Sequence, residues 1–273
     1  MLYSQLLRLL SLLIALVGFS MLAGCSHDHP HEADHDHATN GKEYYELREY
    51  SVSSAEQQQQ VLAYLRDAAV PGLNRQGISP VGVFTPTAPD SGLTIYMLIP
   101  YQSLDQFADA PAKLMADAAH NQAGAAYLDL SDPEMKAYDR IDSRLLVAFD
   151  SMPKMEVPAL KSNPNRVFEL RSYESFSEKK GLKKIKMFNV GNEVTIFKNL
   201  GFQPVFFAQA ITGDELPNLI YMVTYSSMED HPNKWKSFAN DPGWKAVKGL
   251  EEYKNTVSKI HKYFLAPTDF SQL

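Results

Sequence analysis

Two short stretches carry the same set of reactive side chains. "YYELREY" (Tyr44–Tyr50) and "VFELRSY" (Val167–Tyr173) each space a carboxylate, a guanidinium and a phenol two residues apart: Glu46, Arg48 and Tyr50 in the first, Glu169, Arg171 and Tyr173 in the second. In an extended strand, residues two apart share a face, so each trio presents an anion, a cation and a hydroxyl on one side. Such a trio can hold a polar or anionic ligand head inside an otherwise apolar cavity. It can equally serve structure alone, because a partly buried Glu–Arg pair fixes strand register, and removing one partner of a buried pair costs roughly 3–5 kcal/mol. His261 is a further candidate, in phase with Tyr263 on the last apolar run. A histidine facing a cavity can act as a general base, although a hydrogen-bonded sheet histidine is the commoner case.

A different chemistry belongs to "HDHPHEADHDH", where His27, His29, His31, His35 and His37 alternate with Asp28, Glu32, Asp34 and Asp36. Imidazole nitrogen and carboxylate oxygen are ligands for zinc, copper and nickel. No residue of the tract can pack in a core, so it is expected to be a disordered, loosely metal-binding tether. Periplasmic metal handling through this tract is one reading of the chain's task; a spacer between membrane and domain is the other. Neither P-loop, GxGxxG, HExxH, GxSxG nor CxxC occurs in the sequence. The formal net charge is −6, which lacks the basic footprint of a nucleic-acid binder.

The elements that must position these groups begin after a leader. Arg8 precedes an apolar run, Leu9 to Phe19, too short to span a bilayer and of the length of a signal sequence. "LAGC" (Leu22–Cys25) resembles the bacterial lipobox, and Cys25 is the sole cysteine. The expectation is a signal peptide over 1–24, lipidation at Cys25 and a His-rich tether over 25–42. The mature protein would then be lipid-anchored in a bacterial cell envelope, with Ser26 favouring the outer membrane facing the periplasm.

Beyond the tether the sequence repeats itself at an offset near 123 residues. "GISPVGVF" matches "GFQPVFFA", "LTIYMLIPYQSLD" matches "NLIYMVTYSSME" with Tyr96 opposite Tyr221, and "DPEMKAY" matches "DPGWKAV", all in the same order as the charged strands. Four ordered blocks define an internal duplication. Each copy reads β-α-β-β-α-β. Strands are predicted near 44–52, 78–84, 93–101 and 144–149, then near 167–175, 202–211, 219–225 and 257–265. Ser53 with Glu56 reads as a capping box, a single long helix is expected over 178–200, and Asp241–Pro242 opens a short one. The fold class is therefore α+β: tandem ferredoxin-like repeats, 43–150 and 166–267, joined by a proline-rich linker over 151–165, packing their sheets into one α/β barrel. Within it, Tyr45, Leu47, Phe168 and Leu170 are expected under the helices, and the Glu/Arg/Tyr trios in the barrel lumen.

The blocks "YELR-x-Y" (Tyr45–Tyr50), "FELR-x-Y" (Phe168–Tyr173) and "WKSFANDPGWKAV" (Trp235–Val247) resemble the NIPSNAP family, within the dimeric α/β-barrel superfamily. The first copy departs from the pattern: Met135 stands where Trp244 stands, and "HNQAGAAYLDL" precedes Asp132. The resemblance implies the fold and a family of poorly defined activity, whose wider relatives include cofactor-free monooxygenases, haem-handling proteins and isomerases; fold alone does not choose among these. The function expected is that of a membrane-tethered, non-enzymatic ligand-binding or protein-interaction module with no cofactor. The alternative is a cofactor-independent oxygenase or isomerase using the lumen, with Glu169, Arg171, Tyr173 and His261 as its groups. No residue is assigned a catalytic role. The lysines at 179, 180, 183, 184 and 186 are expected on a solvated helix face, and Trp235, Phe238 and Trp244 in the core.

Overall fold

The computed structural model describes residues 41–88, 92–132 and 135–273. The segment expected to be a signal peptide, Cys25 and the histidine tract lie outside the described residues. Among the described residues, strands β1 (Tyr44–Ser51), β2 (Gly82–Pro86), β3 (Ile95–Tyr101), β4 (Arg140–Ala148), β5 (Val167–Glu174), β6 (Gln203–Thr212), β7 (Asn218–Tyr225) and β8 (Lys259–Pro267) close a barrel. Their order is β1-β3-β2-β8-β5-β7-β6-β4. Each repeat contributes four adjacent strands, and the joints are antiparallel pairings of β2 with β8 and β4 with β6. Closure leaves neither sheet with a free edge.

Helices pack outside. In the first repeat α1 (Ala55–Tyr64), a π-helical turn (Leu65–Ala69) and α2 (Val70–Arg75) run on from one another, followed by α3 (Leu104–Ala116) and α4 (Ala118–Leu128). The second repeat has α5 (Glu178–Asn189), α6 (Glu193–Asn199), α7 (Asp230–Asn240) and α8 (Pro242–Gly249). The first cap falls one residue later than expected: Ser54 Oγ accepts from Gln57 N, while Gln57 Oε1 accepts from Ser53 N. Asp241 caps α8 as expected, taking the Trp244 amide at 2.8 Å. The single helix expected over 178–200 is broken into α5 and α6. Asn192 takes a left-handed φ of 59°, and a side chain at Gly191 would meet the Met187 carbonyl at 2.5 Å, so the chain turns there. The two copies also diverge: Pro242–Gly249 forms α8, whereas residues 135–139 form no helix, and α4, built from the inserted "AAHNQAGAAYL", follows α3 instead.

The faces are the reverse of the expectation. Tyr45, Leu47, Phe168 and Leu170 point into the barrel and pack with Phe84, Leu98, Phe206, Met222 and Leu265. Tyr44 and Tyr50 pack against the first repeat's helices, and Tyr173 against the second's. The reason is volume. A closed eight-stranded barrel has room for side chains and little else, and bulky apolar residues fill it without the desolvation cost of buried ions. The ring centroids of Tyr45 and Phe206 are 5.2 Å apart, those of Phe84 and Phe168 4.8 Å. The lumen is a packed core.

Because neighbouring strands alternate in direction, β1 and β5 run the same way and end at the same mouth. The opposite mouth is plugged by the linker and the chain's end. Met155 N donates to Glu43 Oε2 at 2.7 Å, and Arg166 Nη2 donates to the Leu273 carbonyl at 2.9 Å. Leu273 is fully buried in the lumen cluster, against a Gly82 that has no side chain to obstruct it.

Candidate functional site

In the second repeat the trio lies between sheet and helices, closed over by its own neighbours. Glu169 is fully buried. Its Oε2 accepts the Tyr225 hydroxyl at 2.5 Å and the Trp235 indole N–H at 3.0 Å, with His231 Nε2 at 3.5 Å. Arg171 Nε stands 3.3 Å from Glu169 Oε1, an ion pair too poorly aligned to count as a hydrogen bond for either atom. Arg171 Nη1 donates to the Tyr221 hydroxyl at 3.2 Å, and its Cζ lies 4.1 Å from the Trp235 ring centroid. Tyr221 and Tyr173 share a hydrogen bond of 2.7 Å. Burial, foremost, pushes the Tyr173 phenol up to about 12 and the Tyr221 phenol well above its ordinary value.

The first repeat builds a plainer version. Arg48 grips Glu46 with two hydrogen bonds, Nε to Oε1 at 2.9 Å and Nη2 to Oε2 at 3.0 Å, and its Nη1 reaches the Tyr50 hydroxyl at 3.3 Å. Glu46 also accepts from Tyr101 at 3.1 Å and Ser143 at 2.8 Å. Burial raises the pKa of Tyr50 and Tyr101 as well. Phenols held this far from neutrality do not serve as bases near pH 7. With each carboxylate paired to its arginine, the second cluster ties the sheet to α7 through Trp235 and His231, whereas the first ties β1 to its neighbours β3 and β4 through Tyr101 and Ser143. Five contributors were not legible as such in the sequence: Tyr101, Ser143, Tyr221, Tyr225 and His231. Trp235, read as core, also carries a specific hydrogen bond to Glu169.

Strand register explains the difference between copies. Arg48 stands opposite Met97, but Arg171 stands opposite Tyr221. The sequence alignment matched Tyr221 to Tyr96, one residue off, and a one-residue slip changes the face. Tyr96 accordingly packs in the lumen and Tyr221 under the helices. Lys184, expected on a solvated face, is buried and paired with Glu193 at 2.7 Å. Burial raises the Glu193 carboxyl pKa, against the lowering influence of Lys184.

His261 is on the other side of the sheet from Arg171 and Tyr173, so the four groups proposed to act together are divided. It stands in register with Ser172 on the lumen wall, at the unplugged mouth. Its Nε2 is 2.5 Å from Glu174 Oε1 and 3.3 Å from Glu215 Oε1. Lys259 Nζ is 3.7 Å from the same Glu174 oxygen. The Arg144–Glu49 pair belongs to the same end of the barrel, and Glu49 is held above its usual range chiefly by burial.

A concave surface opens next to this mouth. A cleft of about 330 Å³ lies between α5 and the β6–β7 hairpin, with Leu182, Ile185, Ile211 and Leu216 among its walls and Ser175, Glu178, Gln209 and Asn218 as polar residues. Leu182, Ile211 and Leu216 are 58%, 43% and 49% exposed, so large apolar side chains are left uncovered there.

The family model described as NIPSNAP matches residues 45–151 and again 165–272. Among solved structures, the chain is similar to a Fusobacterium nucleatum protein described provisionally as a monooxygenase, at 11% identity and TM-score 0.54, covering 83% of this chain and 93% of that one. A Lactobacillus acidophilus protein with the same provisional description matches at 10% identity and TM-score 0.54, covering 83% and 94%. A NIPSNAP family protein from Agrobacterium tumefaciens is 22% identical over 40% of this chain and 90% of its own, with TM-score 0.34. No curated protein matches the chain.

Proposed function

The chain belongs to the NIPSNAP family, with two tandem copies of the domain, and from that premise we propose that it is a lipid-tethered, non-catalytic module that binds a small, largely apolar molecule in the cleft between α5 and the β6–β7 hairpin. The observation that carries this reading is the cleft itself. Its volume falls at the lower end of the range typical of small-molecule sites, and its apolar walls stand open. The lumen, which an oxygenase or isomerase would have used, is filled by Tyr45, Phe84, Phe168 and Phe206. The neighbours described as monooxygenases share the fold, and at 10–11% identity the likeness extends no further. In this reading Cys25 carries the acyl chains, and His27, His29, His31, His35 and His37 form a loosely metal-binding tether to the envelope membrane.

The hydrophobic probe 1-anilinonaphthalene-8-sulfonate tests the cleft. Leu182→Glu and Leu216→Glu should each weaken probe binding at least about tenfold while leaving thermal stability nearly unchanged, because both side chains are surface groups. Undiminished probe binding by both variants would overturn the cleft assignment. Intact mass of the protein extracted from membranes tests the tether: the expected species begins at an acylated Cys25, and a mature form retaining residues 1–24 would refute it.

A further inference from the structure

We propose that Glu174, Glu215 and His261, at the open barrel mouth, form a divalent transition-metal site distinct from the histidine tract. The three side chains come from the end of β5, the β6–β7 hairpin and β8. One ligand atom from each, an imidazole nitrogen and two carboxylate oxygens, lies within 4.8 Å of the others. Side-chain exposures of 23%, 26% and 16% make the site both sheltered and reachable. Zinc takes nitrogen and oxygen ligands at about 2.0–2.2 Å in a tetrahedron, which sets ligand atoms roughly 3.3–3.6 Å apart. His261 and Glu215 already stand 3.3 Å apart, and Glu174 must withdraw from its 2.5 Å contact by about 1 Å, within reach of a side-chain rotation. Three protein ligands leave a coordination position open to solvent.

Charge favours a cation here. With His261 neutral the set carries two negative charges. Among the nearby cations, Arg144 is engaged by Glu49, and Lys259 is a largely exposed rim group, its side chain 63% accessible. Asp142, paired with Arg140, and Tyr96 and Tyr263 are further titratable groups of this end, and Arg144 also feels the charge of Glu215. A second observation is independent of the cluster. Asn218, the register partner of Glu174, is 4% exposed, and its Oδ1 has no hydrogen-bond partner. Its Nδ2 donates to Ser172 Oγ, whose own register partner is His261. An orphaned acceptor on the residue paired with Glu174, which also borders the neighbouring cleft, is what a bound cation's water would satisfy.

The site is asymmetric. Matching the β1–β4 register to that of β5–β8 puts Ser51 in the place of Glu174 and Asp142 in the place of His261. The first repeat therefore lacks the ligand set.

The test is calorimetric titration with Zn²⁺ of the detergent-solubilised full chain, its five tract histidines replaced by serine. One equivalent should bind and raise the melting temperature. His261→Ala in that background should weaken binding at least about tenfold and abolish the thermal shift. Glu215→Gln, on the hairpin, should weaken zinc binding while leaving the metal-free melting temperature unchanged, which separates ligand loss from misfolding. Leu182→Glu in the cleft should leave zinc uptake intact, so failure of the cleft reading does not touch this one. Absence of zinc uptake by the tract-substituted chain, or uptake indifferent to both His261→Ala and Glu215→Gln, would overturn the proposal.

Discussion

Glu169→Ala should destabilise the protein by about 3–5 kcal/mol, the cost of stranding one partner of a buried pair. The substitution leaves Arg171 charged in a nearly closed space, since its side chain is 10% exposed. It also orphans the Tyr225 hydroxyl and the Trp235 indole N–H, both of which donate to Glu169. Glu46→Ala, the matching change in the first repeat, should cost less, about 1–3 kcal/mol. Arg48 has a side chain 27% exposed and can recover part of its hydration when its partner goes. Urea unfolding of the two variants against the parent measures both. Equal losses would mean that the two clusters are energetically alike. A loss below about 1 kcal/mol for Glu169→Ala would refute the tie between sheet and helices.

That inequality could not be read from the repeated strands, which are nearly identical in sequence. The duplication, the strand order within each copy and the closure into one barrel were legible, because apolar runs, turn residues and recurring blocks all agree on them. The pairing of Glu46 with Arg48 and of Glu169 with Arg171 was legible too, from the two-residue period of a strand. Which face those pairs occupy was not. Alternation says that two sets exist and leaves open which set is core when both faces of a sheet are covered. Here Tyr45 and Phe168 outweigh the charged set in volume and take the lumen. The mouth cluster was hidden for another reason. Glu174, Glu215 and His261 come together only through closure of the barrel, and Glu215 enters from a hairpin where its φ is +64°. Sequence spacing carries no trace of such a meeting.

Lys184→Met should be the second severe change, and its severity should depend on pH. Lys184 and Glu193 form an ion pair at 2.7 Å with side chains 5% and 3% exposed. At pH 8 the loss of the ammonium leaves a buried carboxylate alone, at a cost of about 3–5 kcal/mol. Burial already holds the Glu193 pKa above its ordinary value of 4.5, and the attraction of Lys184 is what restrains that rise. Without Lys184 the folded-state pKa climbs further. A carboxyl whose folded pKa exceeds its unfolded one holds its proton more tightly in the native state. Its contribution to stability is therefore complete below the unfolded value and is lost as pH rises through the folded one. Comparing variant with parent at each pH cancels the titrations they share. The deficit should be small near pH 4.5 and should grow toward pH 8. Lys184→Met combined with Glu193→Leu removes both charges and should recover most of the loss, since a buried pair replaced by apolar groups of similar size is often neutral or stabilising by about 1–4 kcal/mol. Urea midpoints at the two pH values decide it. A deficit of the same size at both, or a double variant as unstable as the single one, would show that Lys184 stabilises the α5–α6 region by packing on Phe188 and Trp244, near whose rings its ammonium lies at 4.6 and 5.4 Å, and not by neutralising Glu193.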